Sequence, residues 1–171
     1  SIGRCSGEAD DLKNTEGFYK LHADETALIK NVSANFERTV LVLNTCGPLD
    51  LRSIEDCKID SILYASMGGE QFGNSVADIL TGRETPSGKL STTWAKKYED
   101  YPTTEGIDTM LVPYNEGIYV GYRYFDTFKK DVVFPFGFGL SYTKFDFEAV
   151  CFEIDKTVVT IKTKITNIGN L

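Results

Sequence analysis

The chain reads as an α/β protein built on a mostly parallel sheet and followed by a β-rich tail. Thr39 to Asn44 is a continuous run of β-branched residues and leucine, apolar on both faces, which suits a strand buried between two helical layers. Ile59 to Ala65 (Ile-Asp-Ser-Ile-Leu-Tyr-Ala) is a second strand, and helical patterns flank both, so the spacing argues a parallel sheet with right-handed crossovers. From Lys144 to Thr166 the period falls to two, which marks a change of architecture.

In chain order, Asp24 and Glu25 supply the first-turn acids of a helix, with His22 at its entrance. Leu28, Val32 and Phe36 recur at i, i+4 and i+8 and predict its buried stripe. Asn44 to Pro48 is the turn leaving the first strand. Gly68-Gly69 leads into a second helix, where Val76, Ile79 and Leu80 share a face and Gly82 supplies the stop.

After Pro86 the pattern changes. From Leu90 to Phe138 Tyr, Phe, Gly, Pro and Thr dominate without a sustained helical period, which predicts aromatic-bearing connections and short strands facing a neighbouring domain. Trp94, after a short strand, is expected to be structural. Val159, Ile161, Thr163 and Ile165 then alternate with Thr160, Lys162, Lys164 and Thr166, as in a half-exposed antiparallel strand. Asn167-Ile168-Gly169 falls where a turn begins.

Composition excludes several functions. A chain of 171 residues with 42% hydrophobic and 25% charged residues is globular, one domain or one and a fraction. No stretch approaches the ~18 apolar residues of a membrane span, so no membrane partner is expected. The net charge of −7 and scattered basic residues argue against nucleic acid, whereas a neutral sugar is indifferent to an acidic protein. Cys5, Cys46, Cys57 and Cys151 have no Cys-x-x-Cys spacing and there is one histidine, so neither a zinc site nor another cofactor is expected. Unpatterned cysteines in a chain of this length read as buried free thiols of a cytoplasmic protein, with two disulfides in a secreted one as the alternative.

The most specific segments are Tyr-Asn-Glu-Gly-Ile-Tyr-Val-Gly-Tyr-Arg-Tyr-Phe-Asp at Tyr114–Asp126 and Phe-Pro-Phe-Gly-Phe-Gly-Leu-Ser-Tyr at Phe134–Tyr142. With Val40–Pro48, Gly68–Leu80, Thr85–Leu90 and Ser6-Gly7-Glu8, they stand in the order in which glycoside hydrolase family 3, the β-glucosidase-like enzymes, carries similar elements. The resemblance implies an (α/β)6-type sandwich over residues 1–143. It also implies that residues 144–171 are the first strand or two of a fibronectin type III-like β-sandwich, too few to complete one, so that the chain is part of a longer protein.

The resemblance further implies a retaining β-glycosidase, with a terminal β-glucoside or β-linked oligosaccharide as substrate. Retention takes two carboxyl groups about 5 to 5.5 Å apart, a nucleophile and a proton donor. Glu8, in Ser6-Gly7-Glu8, matches the family's acid/base, while its nucleophilic aspartate belongs to a (β/α)8 barrel that has no counterpart here. The barrel is therefore the expected partner. The chain alone is expected to be inactive, and to self-associate through the surface a barrel would cover.

Several residues depart from the family pattern. Ala9 and Leu12 stand where a glycine and an arginine are usual, Gln71 and Phe72 where Glu-Gly is usual, and Cys46 replaces a glycine. These changes leave room for altered specificity or a degenerate, non-catalytic copy. Two other readings stand beside the glycosidase: a carbohydrate-binding or docking module, and an unrelated flavodoxin-like domain with a ligand cleft at the carboxyl ends of its strands.

Each motif also has a plainer reading. Glu8 lies among Asp10 and Asp11, as a solvated acidic loop does. Gly68–Gly73 lacks the lysine and hydroxyl of a phosphate loop and suits a tight turn. Tyr114, Tyr119, Tyr122, Tyr124, Phe125 and Phe128 fit either sugar stacking or, more commonly, packing. Arg123 and Asp126 suit an internal ion pair or a domain contact better than catalysis.

Overall fold

In the computed structural model, which describes residues 1–4, 13–102 and 114–170, both expected strands lie in a three-stranded parallel sheet. Val40–Asn44 (β2) lies between Ile2–Gly3 (β1) and Ser61–Tyr64 (β3), parallel to both. Ile2 is opposite Leu43, and Leu43 is opposite Tyr64. The pairing runs one step beyond the strands, because the Arg4 N–H donates to the Asn44 carbonyl at 3.0 Å and the Ala65 N–H to that of Leu43 at 2.9 Å. β1 was not anticipated: two residues are too short to display a period.

Ala23–Asn35 forms α1, with His22 as N-cap and Asp24 and Glu25 in the first turn as expected. The Glu25 carboxylate accepts the His22 backbone N–H at 2.8 Å, satisfying one of the donors a helix start leaves free. The buried stripe differs from the expected one. Ile29 and Ser33 are buried and Val32 half-buried, whereas Leu28 and Phe36 are 55% and 62% exposed. One residue is about 100° of helix rotation, so the expected row misses the core by a single position. Phe36 is already the extended C-cap.

Leu43 has no exposed surface and sits in one cluster with Ile2, Ile29, Leu41, Ile54 and Trp94. Ile54 comes from a 3-10 turn at Arg52–Ile54, which packs beside α1 in the crossover from β2 to β3. The expectation that both faces of β2 are sealed holds for one only. Leu41 and Leu43 are buried, but Val42 is half-buried and Val40 46% exposed.

The chain divides into two compact units, Ser1–Gly73 with Leu90–Phe138, and Asn74–Lys89 with Gly139–Leu171. Within the first, Trp94–Ala95 (β4) pairs antiparallel with Val132–Phe134 (β5). Trp94 is buried edge-on against Tyr64 and Phe134, as a structural residue should be. Tyr122–Thr127 is a six-residue helix, α3, in a region expected to contain none; it buries only Phe125, so no period could reveal it.

Phe72–Leu80 forms α2. Its end is a Schellman turn in the second unit: Gly82, at φ +75°, donates to the Ile79 carbonyl at 3.0 Å and Arg83 to that of Asp78 at 2.9 Å. Val76 and Ile79 are half-buried, but Leu80, expected on the same face, is 49% exposed. The alternating tail is two strands, Phe145–Asp155 (β6) and Val158–Asn167 (β7), in an antiparallel ribbon. Phe147 faces Ile165 and Phe152 faces Ile161 on one side, while Glu148 and Lys164 pair on the other. The apolar side, expected to be covered, is exposed as well: these four residues keep 60–65% of their surface.

None of the described cysteines is buried, contrary to expectation. Cys46, Cys57 and Cys151 are free thiols, the first exposed and the others half-buried, and a hydrogen bond to Glu153 pushes the Cys151 thiol up. Among the described residues no helix is long and apolar enough to cross a membrane.

Candidate active site

Three of the segments singled out from the sequence leave the same edge of one sheet. β1 ends at Gly3-Arg4, immediately before residues 5–12; β2 ends at Asn44, before Thr45–Pro48; β3 ends at Tyr64, before Ser66–Phe72. Because the strands are parallel and in register, the carboxyl ends lie side by side, where α/β sheets place their ligand sites. Glu8, with Ala9 and Leu12, lies outside the described residues. What the structure supplies is the frame from which that segment departs and to which it returns.

The departing end is held by Arg4, whose side chain is only 8% exposed. Its guanidinium meets both Glu25 carboxylate oxygens at 2.6 Å. It also donates to the carbonyls of Gly3 at 2.9 Å, Phe18 at 3.3 Å and Lys20 at 3.4 Å. The hydrogen bond from Arg4 holds the Glu25 carboxyl below the usual carboxylate range, against the opposing effect of its partial burial. The sequence suggested Glu25 only as a first-turn acid and gave no sign of Arg4, since the pair is joined across the fold.

The returning end, Lys13–Lys20, is fixed as firmly. The Lys13 carbonyl accepts from Thr15 at 2.8 Å and Tyr19 at 3.1 Å, and Asn14 donates its side-chain amide to Glu99 at 3.0 Å. Tyr19 is fully buried, edge-on to the rings of Tyr98 and Tyr101, and its carbonyl accepts the Asp50 N–H at 2.7 Å. Burial pushes the Tyr19 phenol up, so it stays protonated. Asp50 is held in turn by Arg52 at 2.6 and 2.9 Å, and that contact lowers its carboxyl.

The second and third segments are also shaped locally. Thr45, 1% exposed, turns its hydroxyl onto the Gly47 carbonyl at 2.9 Å, leaving Cys46 exposed at the turn. Ser66 adopts φ 53°, a left-handed conformation that costs a non-glycine residue about 1 kcal/mol or more. The Phe72 ring packs directly over Gly68, where any Cβ would collide with it. Phe72 is thus accommodated by the glycine before it, and Gln71 is exposed.

The aromatic cluster divides. Phe125 is core, Tyr119 and Tyr124 pack against Phe128, and Tyr122 stacks on Phe136 with ring centroids 4.7 Å apart. Tyr114 is 95% exposed. The Arg123–Asp126 ion pair does not form; both side chains are exposed, because neither lies on the buried face of so short a helix. No group of three or more histidine, cysteine or carboxylate side chains suited to a metal occurs among the described residues.

A groove of about 460 Å³ runs beside α1, lined by Lys20, Thr26, Lys30, Asp50 and Ser53 among others. Asp50 is taken up by Arg52, and the Thr26 and Ser53 hydroxyls lie 3.2 Å apart and bond each other. Glu16, Lys20 and Lys30 are the other charged side chains on the walls of the groove.

The profile of the Glycosyl hydrolase family 3 C-terminal domain matches residues 2–142. The chain belongs to glycoside hydrolase family 3. It is 42% identical over 171 residues to a β-glucosidase of Ruminococcus albus, covering 99% of this chain and 18% of the relative. It is 35% identical to the thermostable β-glucosidase B of Acetivibrio thermocellus, covering 94% and 22%. Among solved structures, β-glucosidase 3B of Thermotoga neapolitana in complex with glucose aligns at a TM-score of 0.88 and 40% identity, over 98% of this chain and 25% of that one. A β-glucosidase of Paenibacillus barengoltzii aligns at 0.91 and 36%, over 98% and 19%. The chain thus spans about a fifth of the length of the curated family 3 relatives it matches.

Proposed function

We propose that this family 3 domain works within a retaining β-glucosidase, where Glu8 is the general acid/base and the nucleophilic carboxylate lies on a (β/α)8 barrel elsewhere in the protein. The supporting observation is the position of Ser6-Gly7-Glu8: it follows directly from the carboxyl end of β1, the edge strand of the described sheet, between two anchored stems. The chain's relatives are named β-glucosidases, which supports a β-linked glucoside as the substrate class.

In the proposed reaction Glu8 protonates the leaving oxygen as the barrel carboxylate attacks the anomeric carbon. The resulting carboxylate of Glu8 then takes a proton from the water that releases the sugar with retained configuration. Residues 144–171, as the opening strands of a fibronectin type III-like sandwich, follow the α/β domain of residues 1–143 in this reading.

General acid catalysis is worth about 10² to 10⁴-fold in rate, and matters most when the leaving group is a poor one. In the full-length protein, Glu8→Ala should therefore depress cellobiose hydrolysis by at least a hundredfold while sparing formation of the glycosyl-enzyme from dinitrophenyl glucoside. Added azide, needing no general base, should restore turnover of the latter. Equal losses on both substrates without azide rescue would remove Glu8 from the reaction, and a full-length protein with no hydrolytic activity would mark a non-catalytic module.

A further inference from the structure

We draw no further inference here: the strongest candidate, the exposed apolar face of the β6–β7 ribbon formed by Phe147, Phe152, Ile161 and Ile165, carries none because nothing in the structure shows what covers it.

Discussion

The β2 strand and the β6–β7 ribbon carry similar side chains and end in opposite environments. Leu41 and Leu43 are 5% and 0% exposed, whereas Phe147, Phe152, Ile161 and Ile165 keep 60–65% of their surface. Both segments are β-structured and rich in branched or aromatic residues. The difference is that α1 and the 3-10 turn at Arg52–Ile54 contribute Ile29 and Ile54 to the cluster around β2, while the ribbon's apolar face has no such layer within its own unit. Apolar patterning states a demand for burial, and only tertiary structure meets it.

The sharpest way to break this comparison is by truncation. Leu43→Ala should cost about 3–5 kcal/mol in chemical denaturation, because it opens a cavity in a filled core. Phe152→Ala on the exposed ribbon should cost less than about 1 kcal/mol. Similar penalties would mean that the ribbon face is covered in solution.

The next effect is on association. An apolar face of this extent favours contact between copies, so the isolated chain should sediment as a concentration-dependent mixture, and Ile161→Lys should shift it toward monomer. A strictly monomeric species at high concentration would refute this.

The smallest effect belongs to the anchored first unit and to acid. Glu25 and Asp50 have folded pKa values lowered by Arg4 and Arg52 respectively. Each contributes stability that is complete above its ordinary carboxyl value, 4.5 for Glu25 and 3.8 for Asp50, and is lost as pH falls through the lower folded value. Unfolding followed from pH 6 to pH 3 should show a decline that Glu25→Gln flattens. An unchanged acid limb would show that the Arg4 fork does not persist in solution.

These contrasts explain what could be read in advance. β2 was legible because it is a continuous apolar run, β3 because Ile62-Leu63-Tyr64 follows at crossover spacing, and the α2 stop because Gly82 takes a conformation other residues avoid. The ribbon showed its period, but its exposure depends on what packs against it. α3 left no trace because it buries one ring, and the stripe of α1 was misplaced by one residue because Leu28 and Ile29 are equally apolar. At the site, the resemblance supplied Glu8 while local pattern gave no hint of Arg4 with Glu25, since ion pairs between distant segments have no period and no fixed spacing.

The short edge strand has a consequence for the order in which this sheet assembles. Joining Ile2 to Leu43 closes a loop roughly twice as long as the one between Val40 and Ser61, which adds about 0.6 kcal/mol of chain entropy. β1 contributes only two residues to the sheet to offset it. β2 and β3 are therefore expected to pair first, and β1 to be the first strand of the sheet to lose protection in native-state hydrogen exchange. The backbone leading toward the proposed acid is thus the strand held least by its own ladder and most by side-chain contacts, those of the Arg4 fork.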